Sequence, residues 1–269
     1  MSRIRKNWDR SFLFLSFIIN IKGKVAVVTG ASSGLGVQMA KALALQGADI
    51  AILARRKDKL DKVADEIREL GVKCISIQCD VSDTASIAAA AAAVKAEYGK
   101  ADILVNNAGS GGVGPAEETT DEAWSHTIQV DLDGVFKVAR EFGKLMIENK
   151  YGRIINIASM YGMVGNMALP TAAYHAAKGG VVNLTRALAA EWAKHNITVN
   201  AICPGYFATE LTVDTLNTES FTNYMKASVP VGRYGNEGEL DSTVVYLSSN
   251  LSSYVTGVIL PVDGGYTCV

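Results

Sequence analysis

Tyr174 and Lys178 stand four residues apart in a stretch that reads as helix, so they share one face of it. A phenol ordinarily keeps its proton well above neutral pH. An ammonium one turn away favours the phenolate and moves the hydroxyl toward exchanging a proton with an alcohol or ketone oxygen. Ser159 ends an apolar, strand-like run, where its hydroxyl can bond the same oxygen. That bond strengthens as negative charge develops there. A Tyr-x-x-x-Lys pair alone means little, because chance and packing supply many. Its weight comes from a second feature near the start of the chain. There a strand-like run ends in Thr29-Gly30-Ala31-Ser32-Ser33-Gly34-Leu35-Gly36, and a helix-like run follows at once. Glycines let a backbone turn tightly and approach a phosphate without a Cβ in the way. The helix N-terminus then turns amide groups and the positive dipole end toward the anion. Between the first strand and first helix of a β-α-β series, such a turn indicates a dinucleotide site.

The second strand-like run ends Ala54-Arg55-Arg56. An acidic residue at that point would suit a free ribose 2′-hydroxyl, as in NAD. Guanidinium groups suit a 2′-phosphate instead, so Arg55 and Arg56 predict NADP(H) as the preferred cofactor, with NAD(H) as the alternative.

Short apolar runs alternate with longer amphipathic ones. Strands are expected at 24–29, 49–54, 72–79, 101–106, 152–158, 197–202 and 257–262. They are almost continuously apolar, as strands covered on both faces are. Helices are expected near 34–46, 58–70, 83–98, 121–149, 173–194 and 236–248. The alternation predicts an α/β fold: a single doubly wound Rossmann-type domain, its parallel sheet of about seven strands flanked by helices on both faces. The run Ala88 to Ala93 fits a helix packed closely on that sheet. Residues 203–235 are rich in Thr, Asn, Tyr and Gly and follow a strand end. Ligands bind at that edge of open α/β sheets, so a substrate lid is expected near 206–228.

The glycine spacing is G-x-x-x-G-x-G. With CDV (79–81), NNAG (106–109), IINIAS (154–159), YHAAK (174–178), CPGYFATE (203–210) and VDGG (262–265), it resembles the short-chain dehydrogenase/reductase family over residues 22–269. The resemblance implies reversible hydride transfer between a ketone and a secondary alcohol. It makes Tyr174 the general acid/base and Ser159 the carbonyl polariser. Lys178 would bind the nicotinamide ribose and favour the Tyr174 phenolate. It implies a cofactor cradle from Gly30, Ser32, Ser33, Gly34, Leu35 and Gly36. Asp80 and Val81 would flank the adenine, Asn106, Asn107, Ala108 and Gly109 would line the cleft, and Pro204, Gly205, Phe207 and Thr209 would lie by the nicotinamide. The family usually has Asn where this chain has Asp131. An ionised Asp131 can position water and stabilise Lys178, or serve the fold alone. The family is commonly dimeric or tetrameric, which implies a homo-oligomer.

Composition agrees with a globular enzyme. The 269 residues are 49% hydrophobic and 20% charged, with net charge −1. This excludes a disordered chain and argues against a nucleic-acid partner. Cys74, Cys79, Cys203 and Cys268 are scattered, without metal-ligand spacing, so no metal site is expected and a reducing, cytoplasmic location fits. The charge is uneven. Arg3, Arg5, Lys6 and Arg10 against Asp9 give the first ten residues +3, and Phe12 to Ile19 follow as an apolar run. Eight residues fall far short of the roughly 20 needed for a membrane span. Residues 1–21 are expected to be an N-terminal arm that packs on its own protein or a partner subunit, or to reflect an upstream start, with export as the alternative. His126 and His195 lie on expected helices without ligand partners. His175, next to Tyr174, diverges from it by about 100° around the helix.

Fourteen residues separate Ser159 from Tyr174. This longer form, with Asn166 and Pro170, looks like that of sugar-ketose reductases and polyol dehydrogenases such as sorbose reductase and mannitol dehydrogenase. PGYFATE and Asp131 resemble gluconate 5-dehydrogenase-like enzymes. The expected lid offers Thr212, Asp214, Thr215, Asn217, Thr218 and Asn223 for hydroxyl groups. It also offers Leu211, Leu216, Phe221, Tyr224 and Met225 for an apolar pocket or its own core. A sugar, polyol or keto-sugar acid is the favoured substrate. The alternatives are a hydroxysteroid, entering past Met160, Tyr161, Met163 and the apolar arm, and a 3-oxoacyl thioester. A non-catalytic cofactor-sensing or scaffold protein is the reading from another class.

Overall fold

The computed structural model describes residues 19–269 except 168, 210, 211, 213–215 and 217. Most of the expected arm therefore lies outside the described residues. The last part of it does not: Ile21 is buried in the core, and Ile19 packs against that core.

The chain runs β1 (Val25–Thr29), α1 (Gly34–Leu45), β2 (Asp49–Ala54), α2 (Lys57–Arg68), β3 (Cys74–Gln78), α3 (Thr84–Tyr98) and β4 (Ile103–Asn106). The second half runs α4 (Asp121–Ile128), α5 (Gly134–Asn149), β5 (Gly152–Ile157), α6 (Ala172–Trp192), β6 (Ile197–Pro204), α7 (Glu219–Ser228), α8 (Asp241–Ser248) and β7 (Ile259–Val262). The strands form one seven-stranded parallel sheet in the order β3-β2-β1-β4-β5-β6-β7. Winding reverses between β1 and β4, and a crevice opens at the carboxyl ends of strands where that happens. The continuous apolar runs now have their cause. In β1, Ala26 and Val28 enter one core layer while Val25 and Val27 enter the opposite one. Helix α3 buries Ile87, Ala90, Ala91 and Val94 against the sheet, and the Asp83 carboxylate caps it by accepting from the Ala85 and Ser86 amides.

The helix expected over 121–149 is interrupted. Residues Gln129–Asp133 form a π-helical turn between α4 and α5. The extra residue in such a turn shifts which side chains face inward. Here it turns Asp131 into the interior, fully buried, while Val135, Val138 and Phe142 of α5 keep the core-facing stripe. The helix expected over 236–248 begins only at Asp241, because Glu239 upstream pairs with Arg233 and accepts from the Asn236 amide. In the expected lid, α7 is capped by the Thr218 hydroxyl.

Candidate active site

Strand β5 delivers Ser159 to the sheet's carboxyl edge, where it caps a 3₁₀ turn, Met160–Gly162. Its Oγ accepts the Tyr161 amide at 3.1 Å. A hydroxyl so engaged still has its own hydrogen to give to an outside acceptor. Helix α6 carries Tyr174 and Lys178, with the ammonium 5.4 Å from the centre of the Tyr174 ring. Lys178 is buried; its Nζ donates to the Ile157 carbonyl at 3.0 Å and lies 3.3 Å from Asp131 Oδ1.

Asp131 is thus brought to the site. Its Oδ2 accepts from the Ser110 amide at 3.0 Å and from the Ser110 hydroxyl at 2.8 Å. Oδ1 has no conventional hydrogen bond and faces the ammonium. A buried carboxylate is costly unless paired and bonded, and this one has both. The loop passes so closely that a Cβ on Gly109 would stand 2.6 Å from Asp131 Oδ1. Gly109→Ala is expected to displace the carboxylate and cut turnover by about tenfold, corresponding to about 1.4 kcal/mol on the barrier. Steady-state kinetics check this, and wild-type kcat would show that the close approach is unimportant. Ser110 was missed in the sequence; the only signal for it is that it follows the NNAG run.

The glycine-rich turn forms the other half of the crevice. Gly30 adopts φ +65°, and a Cβ there would stand 2.8 Å from the Ala108 Cα. Asn107 pins the turn, donating through Nδ2 to the Thr29 carbonyl at 3.0 Å, while the Thr29 hydroxyl accepts the Asn107 and Ala108 amides. Asn106 lies deeper and bonds Asn156 within the sheet. Ser33 begins α1 without capping it through its side chain. Its hydroxyl instead accepts from Arg56 at 2.7 Å, as that of Ser32 does at 3.2 Å. The uncapped amides of α1 and the Arg56 guanidinium therefore converge on one edge of the turn, a setting that fits an anion. Arg55 is exposed and acts electrostatically on Asp80, whose carboxyl is lowered chiefly by the Ser82 hydroxyl bond. Val81 packs where Gly134 approaches it. Across the cleft, Thr209 lies against Gly34. Gly205 donates to the Val262 carbonyl, following Pro204 at the end of β6. The Phe207 ring is buried in the core beside Gly235.

The lid's apolar residues make its own core: Leu216, Phe221, Met225 and Val229 cluster with Tyr206, Tyr224 and Tyr266 packed on them. Leu211, Asp214, Thr215 and Asn217 lie outside the described residues. Thr212 bonds within the loop to the Phe207 carbonyl, Thr218 caps α7, and Asn223 is exposed. Of the residues expected at a lipophilic entrance, Met160 and Tyr161 are buried and Met163 is exposed. His175 stacks on Tyr161 with ring centres 4.6 Å apart. Its Nδ1 contacts the Thr171 carbonyl, and Nε2 contacts the Asn166 amide. That arrangement holds the 160–171 loop against α6. Among the described residues, no group of three or more His, Cys, Asp or Glu converges for a metal, and no helix is long and apolar enough to cross a membrane.

The glycine-rich turn after β1 and Ser159 after β5 thus share the carboxyl edge of one doubly wound sheet. The family model described as enoyl-(acyl carrier protein) reductase matches residues 30–267. The chain belongs to the short-chain dehydrogenase/reductase family, enzymes that act on CH–OH groups. It is 40% identical to galactitol 2-dehydrogenase (L-tagatose-forming) of Cereibacter sphaeroides, over 93% of this chain and 97% of that one. Its fold is similar to a gluconate 5-dehydrogenase of Burkholderia cenocepacia J2315 solved with NADP and tartrate. The TM-score is 0.89 and the identity 35%, over 93% and 98% of the two chains. It is also similar to an actinorhodin polyketide ketoreductase solved with NADPH, at TM-score 0.85 and 38% identity over 91% and 98%.

Proposed function

We propose that this protein is an NADP(H)-dependent oxidoreductase that interconverts a ketone and a secondary alcohol on a sugar, polyol or keto-sugar acid. Tyr174 exchanges the proton with the substrate oxygen. Ser159 donates a hydrogen bond to that oxygen, and Lys178 holds the nicotinamide ribose and favours the phenolate. Asp131 holds Lys178. When bound, the nicotinamide supplies or accepts the hydride. The observation that carries the reading is the Tyr174 ring with the buried Lys178 ammonium 5.4 Å from its centre, together with a Ser159 hydroxyl whose own hydrogen is left to give. The polyol and sugar-acid relatives support the substrate class. A panel of ketoses, keto-gluconates, steroids and acetoacetyl thioesters, followed by NADPH absorbance, tests it. Turnover of acetoacetyl thioesters alone would instead favour a 3-oxoacyl thioester reductase, the second reading that the polyketide ketoreductase likeness supports. Turnover of steroids alone would reject both.

The cradle Gly30 to Gly36, with Arg55, Arg56 and the residues lining the cleft opposite, would take the cofactor. Arg56, already seated on Ser32 and Ser33, would meet a ribose 2′-phosphate. Arg56→Ala is expected to weaken NADPH by about 10- to 100-fold, the worth of one charge-assisted bond. NADH, which lacks the phosphate, should change far less. Fluorescence titration of both cofactors checks this; an equal loss for both would remove Arg56 from the phosphate site. The same reading has residues 22–269 as one catalytic domain behind the arm, in a cytoplasmic homodimer or homotetramer. Cys74, Cys79 and Cys203 are buried free thiols, which suits a reducing compartment.

A further inference from the structure

Four tyrosines from four separate segments bring their hydroxyls together beside the site. Tyr161 comes from the turn after β5, Tyr206 from the loop after β6, Tyr224 from α7, and Tyr266 from the C-terminal turn. The Tyr161 and Tyr206 hydroxyls are 2.7 Å apart, and those of Tyr224 and Tyr266 are 3.0 Å apart. The Tyr206 ring is the hub, meeting Tyr161, Phe221, Tyr224 and Tyr266 edge to face at 5.0 to 6.3 Å. Edge-to-face contacts add to the area buried, so the four segments are held as one wall. The wall reaches the chemistry: the Tyr161 ring stands 6.4 Å from that of Tyr174, at 89°.

We propose that the Tyr161–Tyr206 hydroxyl pair, backed by Tyr224 and Tyr266, is the substrate's distal subsite, where it recognises hydroxyl groups of a polyhydroxylated chain beyond the reacting carbon. This rests on the sugar, polyol or keto-sugar acid reading above. A phenol hydroxyl has one hydrogen and two acceptor positions. Each pair spends one hydrogen and one acceptor position on its own bond and keeps one hydrogen and three acceptor positions, so a ligand that covers both kinds must donate as well as accept. Sugar and polyol hydroxyls do so; an alkyl chain or a steroid face would leave them unpaired, at a cost. Burial raises the Tyr161, Tyr206 and Tyr266 hydroxyls, so they stay neutral and do not repel a sugar acid.

Tyr206→Phe and Tyr161→Phe keep the rings and remove one hydroxyl each. The probes are 5-keto-gluconate and L-sorbose, set against cyclohexanone, a secondary-alcohol precursor without other hydroxyls. The readout is the ratio of kcat/KM for the hydroxylated ketone to that for cyclohexanone. It is expected to fall about tenfold in each variant, mostly through KM, as the loss of one hydrogen bond in a desolvated site predicts. Tyr266→Phe should lower it less, because the Tyr266 hydroxyl bonds that of Tyr224 and only its ring, which Phe keeps, meets Tyr206. An unchanged ratio in both variants, whether all activities fall together or none does, overturns the subsite while leaving the functional reading intact. A wild-type protein that reduces cyclohexanone or an acetoacetyl thioester but neither hydroxylated ketone overturns the functional reading, and the subsite with it. If Tyr206→Phe fails to fold, Tyr161→Phe decides between these outcomes.

Discussion

Tyr174→Phe is expected to lower kcat by about 10²- to 10⁴-fold, the usual worth of a positioned general acid or base. At about 1.4 kcal/mol per decade this removes about 3–5 kcal/mol of transition-state stabilisation. The substitution keeps the ring, and with it the edge-to-face contact with Tyr161 and the Lys178 ammonium over the ring. Only the hydroxyl that carries the proton is lost. In the reductive direction that hydroxyl gives its proton to the oxygen as the carbon is reduced; in the oxidative direction its oxygen takes the proton back. Ser159 cannot replace it. A serine hydroxyl donates a bond but does not become a stable anion near neutral pH, and here its oxygen is already engaged by the Tyr161 amide. NADPH affinity, read by fluorescence, should be retained, because Arg56 and the glycine-rich turn lie elsewhere. Turnover within a few-fold of wild type would sink the proposed role of Tyr174. Loss of cofactor binding together with activity would point to damage of the helix instead.

Asp131→Ala carries the second large effect, and it falls on stability as well as rate. The carboxylate and the Lys178 ammonium are both buried, 3.3 Å apart. Removing one member of such a pair leaves an uncompensated buried charge and costs about 3–5 kcal/mol. For a domain of this size the melting temperature should fall by about 6–20 °C. Lys178→Met in the same background should return part of that loss, because neither charge then stays buried alone. The double-mutant cycle is therefore expected to be non-additive; additivity within about 0.5 kcal/mol would show that the two residues do not act as a pair. Asp131→Asn separates the carboxylate's two tasks. An amide offers one acceptor oxygen. If that oxygen keeps the Ser110 amide, its NH₂ must face an ammonium that also only donates. Asp131→Asn should thus fold better than Asp131→Ala and still turn over more slowly than wild type. Full activity in Asp131→Asn would reduce Asp131 to a structural residue.

Much of this was legible in the sequence. The strands could be placed because a parallel sheet covered on both faces demands nearly unbroken apolar runs, and β1, with its residues shared between two core layers, shows why. The glycine-rich turn was legible because few other residues tolerate the φ and the contacts found at Gly30. Boundaries were less so. Strand β3 is shorter than its apolar run, and α8 begins late because the Arg233–Glu239 pair occupies the residues before it. The π turn was invisible, since the apolar period on either side of it is unbroken and one extra residue leaves no compositional mark.

What the sequence determined by itself is therefore the set of local demands: which runs pair, where the backbone must turn past a phosphate, and which helix face holds Tyr174 and Lys178. Tertiary structure alone decided the partners that come from distant segments. It brought Ser110 and Asp131 under Lys178 from a loop and an interrupted helix. It seated Arg56 on Ser32 and Ser33, and it paired the Tyr161 hydroxyl with that of Tyr206 and the Tyr224 hydroxyl with that of Tyr266, from four places in the chain. The physical reason is range. Propensity, periodicity and turn chemistry act over a few residues and are written in order along the chain. Pairing of buried charges and hydroxyls depends on where the sheet's carboxyl edge gathers segments far apart in sequence, and no local pattern records that.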